Sequence, residues 1–313
     1  MRKARLKHLI LGILLASLLA SAQFASARTY RVPRDFTTIQ EAIDDPLVRD
    51  GDTIKVGPGN YAGALVTKAV RIRGTHNTVI DSGPLPWSSR PFMAGFFFND
   101  PNTGAGSGAE ISHLRFEYVE FPVFSRGADH VTVSHCSMEN PIQGISNWHG
   151  SRWIITHNRI TDLSAISGGG IGILIGARFG GYVNFNLVSH NKINGILYVD
   201  PNDGGGYNGT GIVLYADFRS IYWWADEIAF NYVIRNRISL ISDTPDVVDV
   251  SAIELTDTRD DISLDPYPVI YNNVIGFNNL RGTELQIVLT PENLADYNYI
   301  FRNLGGNRCR LYY

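Results

Sequence analysis

Glu254, in the phrase AIELTD at 252–257, is a carboxylate at an outward position of what reads as a short, rigid strand. A carboxylate held that way can act as an acid or base if a second one stands nearby. Asp217, one phrase earlier, and Asp257, on the loop leaving the same phrase, are the candidate partners. Arg178, Arg219 and Arg259 could bind a ligand's carboxylates or act near an abstracted proton. Trp148 and Tyr215 offer flat apolar faces on which a ring can stack, with Arg178 and Arg219 placed to orient it. The catalytic candidates are therefore Glu254, Asp217, Asp257 and Arg259, and the substrate-binding ones Trp148, Tyr215, Arg178 and Arg219. Aspartates clustered from 243 to 265 could hold Ca²⁺ through oxygen ligands, and they fit equally a solvated acidic rim with local salt bridges. His113, His135, His157 and His190 fall in one column, which a stacked polar turn explains more simply than a metal, since no second ligand type accompanies them. Tyr222-Trp223-Trp224 suits a ring-stacking platform and a half-buried strand about equally.

The elements that must position these residues come from an internal repeat. ISHLRF at 111, VSHCSM at 134, ITHNRI at 155 and VSHNKI at 188 share one grammar, with looser copies in IAFNYV at 228, IYNNVI at 270 and IFRNLG at 300. Aligned after the histidine, the column runs Leu114, Cys136, Asn158, Asn191, Asn231, Asn273, Asn303. A second phrase follows five of these copies: GISNWH at 144, GILIGA at 172, GIVLYA at 211, AIELTD at 252 and ELQIVL at 284. Both phrases alternate apolar and polar residues, as short strands with one buried face do. Two strands around a tight turn, then a variable loop and a third strand, make one coil of a right-handed parallel β-helix. Ile145, Ile173, Ile212, Ile253 and Leu285 should form one inward row, and the asparagines a hydrogen-bonded ladder. Cys136 and Cys309 then lie five coils apart, too far for a disulfide.

The opening of the chain carries a resemblance. FTTIQEAIDD (36–45), GDTIKVGPGNYAG (51–63), VRIRGT (70–75) and TVID (78–81) are similar to the start of many secreted members of the pectin-lyase-like superfamily. Thr37-x-x-Gln40 reads as a capping box, with Ile39, Ala42, Ile43 and Leu47 on one helical face. The resemblance implies that this helix plugs the open end of the coil stack and that any site lies along the third-strand face. The motifs of pectate lyases, polygalacturonases, pectin methylesterases and alginate epimerases are absent, so no catalytic set transfers.

Arg2, Lys3, Arg5 and Lys7 precede an apolar run from Leu9 to Ala22, and Ala25-Ser26-Ala27 follows. This is the pattern of a signal peptide cleaved after Ala27, and the 14-residue run is shorter than the ~20 needed to cross a bilayer. Residues 28–313 then form one all-β domain, secreted or periplasmic, with 23 basic against 30 acidic residues. That balance argues against a nucleic-acid partner. The expectation is an exported β-helix that binds or processes a polysaccharide, as a lyase or hydrolase. The alternative is a non-catalytic surface or periplasmic accessory protein.

Overall fold

Short runs that alternate an apolar with a polar residue can bury only one face, and here they do so by stacking coil upon coil. The computed structural model describes residues 27–86, 92–99, 105–178, 180–200, 202–203, 208–217, 226–259, 268–290, 294–305 and 309–310. The expected signal segment lies outside them, apart from Ala27. Among the described residues three long sheets of ten, nine and seven strands run the length of the molecule, every pairing within them parallel. The fold is a parallel β-helix.

Each sheet contributes an inward row. In the ten-stranded first sheet the row runs through Ile54, Ile72, Ile111, Val133, Ile155, Val188, Val233 and Ile275, paired strand to strand. In the seven-stranded second sheet it runs through Ile80, Phe116, Met138, Ile160, Ile193 and Ile238. The nine-stranded third sheet aligns Phe96, Val123, Ile145, Ile173, Ile212, Ile253 and Ile287. The row expected from the sequence holds through Ile253. Its last member is Ile287 rather than Leu285, which pairs with Ser251.

The asparagines form two ladders, not one. Asn158, Asn191, Asn236, Asn278 and Asn303 make the first, each side-chain oxygen accepting from the backbone N–H of the preceding member at 2.8–3.0 Å. Asn186, Asn231, Asn273 and Asn298 make the second, at 2.9–3.0 Å. Asn231 and Asn273 therefore do not follow Asn191, as the sequence column had them. They sit at a further turn, created where a three-stranded sheet (Gly181–Asn184, Asp226–Ala229, Ile270–Tyr271) gives the later coils a fourth side. Before each first-ladder asparagine the chain takes a left-handed residue: His157, His190, Arg235, Phe277 and Arg302 all have φ between 52° and 59°. That conformation is unfavourable for an L-residue, and the ladder bonds on the next residue hold it in place.

Helix α1 (Ile39–Asp44) buries Ile39, Ala42 and Ile43 against the first coil. Its capping box is Thr38 with Glu41, one residue later than Thr37 with Gln40: Thr38 Oγ1 accepts from Glu41 N at 3.1 Å, and Glu41 Oε2 accepts from Thr38 N at 3.2 Å. Gln40 instead accepts from Leu65 N at 2.7 Å, tying the helix to the third sheet. Leu47 is exposed, and Val48 takes the buried place expected of it.

Candidate functional site

The outward positions of the third sheet make two lines along the axis. One runs Phe97, Phe124, Ser146, Leu174, Val213, Glu254, Val288, and the other Asn99, Arg126, Trp148, Gly176, Tyr215, Thr256, Thr290. The register pairs Glu254 with Val288 and Thr256 with Thr290. Much of this face is a second apolar layer rather than an open platform. Phe97, Phe124, Leu174, Val213 and Val288 are all buried, and the Arg126 guanidinium lies 5.4–5.7 Å from the Phe124 and Phe97 rings. Trp148 folds over Gly176, whose missing side chain makes room: a Cβ there would come within 2.9 Å of the indole. The indole thereby meets Tyr215 two coils on, with ring centroids 6.1 Å apart at 81°. The two aromatic candidates are thus brought together.

Glu254 stands where this layer opens. Its Oε2 accepts from the Thr210 hydroxyl at 2.7 Å and the Ser251 hydroxyl at 3.3 Å, and its Oε1 accepts from the Thr256 hydroxyl. Ser251 and Thr210 are themselves paired across the sheet and joined at 3.1 Å. A cleft of about 210 Å³ lies beside them, lined also by Asn208, Asp249 and Val288. The hydroxyls were missed in the sequence because the aligned phrases began one residue too late to show the Thr210–Ser251 column.

The other carboxylates are placed apart from Glu254. Asp217 lies four positions beyond Val213, the strand partner of Glu254, or ~13 Å along the sheet. It is buried and pairs with Arg178 at 3.5 Å. Asp257, three positions after Glu254, falls on the opposite face by strand alternation. Arg259 closes on it, with Nη2 and Nε donating to Oδ2 at 2.6 and 2.8 Å and the backbone N–H to Oδ1 at 3.1 Å. Working carboxylate pairs in glycosidases stand roughly 5–9.5 Å apart. Arg219, Tyr222-Trp223-Trp224 and the aspartates at 260, 261 and 265 lie outside the described residues. His149, behind Trp148, has its imidazole held below its ordinary pKa by burial and then by the Arg178 charge.

No family model matches the chain. A stretch of 83 residues, 26% of this chain, is 40% identical to a cell surface glycoprotein of Methanothermus fervidus, and the chain spans only 14% of that protein's length. Among solved structures, the alginate lyase from Paenibacillus sp. str. FPU-7 aligns over 91% of this chain and 98% of its own at 12% identity, with a TM-score of 0.35. So loose a likeness says nothing about activity.

Two further features have bland explanations. Among the described residues, no group of three or more histidine, cysteine, aspartate or glutamate side chains is placed to hold a metal ion. The rings of His113, His135, His157 and His190 stack at 4.9–5.1 Å within 9° of parallel, so their in-plane lone pairs run side by side instead of converging. A wider cleft of about 520 Å³ lies at the earlier coils, lined by Glu117, Tyr118, Glu120 and Glu139. There Glu117 pairs with Arg115, and Glu120 accepts from the Met93 N–H at 2.9 Å. No helix among the described residues is long and apolar enough to cross a membrane.

Proposed function

We propose that this chain is an exported, cell-envelope β-helix that binds a neutral polysaccharide at the Glu254 cleft, with no catalysis there. The observation that carries this reading is the setting of the three carboxylates. Asp217 and Asp257 are each matched by an arginine, while the described partners of Glu254 are the hydroxyls of Thr210, Ser251 and Thr256. A carboxylate among hydroxyls accepts well from the vicinal hydroxyls of a sugar, and the Glu254 charge disfavours a uronate. Tyr215, two positions beyond Glu254's strand partner, supplies an apolar face for a ring. Export by residues 1–27 belongs to the same proposal, and the surface location named for the Methanothermus fervidus relative is in keeping with it.

Titrating a panel of neutral polysaccharides into wild type and Glu254→Gln decides it. The substitution nearly keeps the shape and replaces a charged acceptor by a neutral one, so affinity should fall by about 10-fold, the worth of a charge-assisted hydrogen bond. Equal affinity in the two proteins, or no neutral glycan bound by wild type, places the site elsewhere.

A further inference from the structure

The first sheet changes character along its length. Residues in each of its strands alternate between the core and the outer face. In the early coils the outward positions hold Lys55, Arg71, Arg73 and Glu110, a polar surface on which Arg71 and Glu110 pair at 3.1 Å. In the later coils the same positions hold Ile154, Leu187, Tyr232, Val274 and Tyr299 in one row, with Ile234 and Phe301 in the other. Aromatic residues extend this apolar face at both of its edges. Phe185 stacks on Phe230 at 5.5 Å where the chain enters the sheet, and Phe277 meets Phe301 at 5.3 Å where it leaves. Tyr232, Tyr299, Phe185, Phe230, Phe277 and Phe301 each keep 36–60% of their surface exposed.

The coils do not need this surface in order to stack, since the early coils build the same inward row beneath polar outward residues. Aromatic side chains of 150–250 Å² left about half exposed show roughly 100 Å² each, so the six rings alone leave about 600 Å² of apolar surface in water. That is the upper end for the largest patch of a monomer, and a standard interface takes about 800 Å² from each partner. The aliphatic members of the two rows supply the difference.

Charge at the edges selects what covers the face. In the last coil Asp296 stands before the strand Tyr299–Phe301 and Arg302 directly after it. Both are exposed, and neither forms an ion pair with a described residue. Two coils earlier Glu227 and Arg235 flank Tyr232–Ile234 in the same order. Arg152, a cation on the entering edge, lies two coils before Glu227 and is engaged over the Phe185 ring at 5.8 Å. A face acidic along its entering edge and basic along its leaving edge is complementary to itself. Turning a copy by 180° about an axis within the contact and parallel to the coil axis sets Asp296 of each copy against Arg302 of the other, with equal coils level. Turning it about the perpendicular in-plane axis sets acid on acid. We infer that two copies of this chain pack through the apolar face of the first sheet, their coil axes parallel. The Glu254 cleft lies on a different sheet, so this inference stands independently of the neutral-glycan reading.

Sedimentation velocity of the full chain over a concentration series tests it. Wild type should dimerise. Arg302→Glu and Asp296→Arg should each weaken the dimer at least ~10-fold, because either change enters the contact twice and juxtaposes like charges. An equimolar mixture of these two variants should regain wild-type association, since opposite charges then meet at both edges. Tyr232→Lys, at the centre of the face, should stay monomeric with wild-type circular dichroism and unchanged neutral-glycan binding. The charge swap decides the matter even if Tyr232→Lys fails to fold. A wild type that is monomeric throughout, single charge variants that dimerise as wild type does, or a mixture that stays monomeric would each overturn the assignment. Loss of glycan binding in a folded Tyr232→Lys would overturn it as well, by making the face a glycan platform.

Discussion

Glu254 illustrates how much a side chain's role depends on what faces it across the coils. Its strand position was readable from alternation alone. That Thr210 and Ser251 would reach it was not, because both sit at the loop-to-strand junction where the repeat loses its shape. Nor could alternation say that Asp257 turns away and closes on Arg259. At the same scale, His149 and His113 predict a pH response. Burial is the leading cause of the lowered pKa in both, so the folded state binds fewer protons than the unfolded chain near the ordinary histidine value. A depressed histidine stabilises above the unfolded value of about 6.5, and that stability is lost as pH falls through the lower folded value. The melting temperature should therefore drop between about pH 7.5 and about pH 5, and the drop should be smaller in His149→Gln. An unaltered pH profile in that variant would show that His149 has no part in the response. Cys136 is the converse: burial raises its thiol to about 12, so alkylation should wait for unfolding.

At the scale of elements, the sequence made the parallel coils legible because each strand alternates and each turn carries asparagine. It misread places where two registers satisfy the same pattern. ELQIVL keeps its inward face when slid by two residues, so alternation could not choose Ile287 over Leu285. Thr37-Thr38 and Gln40-Glu41 offer two overlapping capping boxes, and the bond from Leu65 to Gln40 decides between them. Two turns with the same left-handed-residue–asparagine grammar lie five residues apart in VNFNLVSHN, which merged two ladders into one column. The distinction is measurable. Asn191→Ala should cost about 1–3 kcal/mol by leaving the Asn158 N–H and the Ile155 carbonyl unpaired. Asn231→Ala should cost a similar amount in the other ladder. In double-mutant denaturation cycles Asn191 and Asn236, which share a hydrogen bond, should couple, while Asn191 and Asn231 should be nearly additive. Strong coupling between Asn191 and Asn231 would restore the single column.

For the molecule as a whole, stacking replaces a globular core by continuous rows, closed at the start by α1 and carrying different surfaces on different sheets. The third sheet steps five times from the coil of Cys136 to that of Cys309, about 24 Å at ~4.8 Å each, as their separation in sequence implied. What the coil count could not reveal is how far the third-sheet face is covered, because Phe97, Phe124, Leu174 and Val213 look in sequence like any outward residue. We propose that the opening left in this cover, at Glu254, binds glycan without cleaving it. The test is to incubate saturating wild-type protein with whichever neutral glycan it binds and to count new reducing ends against a protein-free control. Binding should occur with no new reducing ends. Reducing ends that accumulate with wild type and fall ~10²-fold or more with Glu254→Gln would make the carboxylate a general acid or base and contradict it.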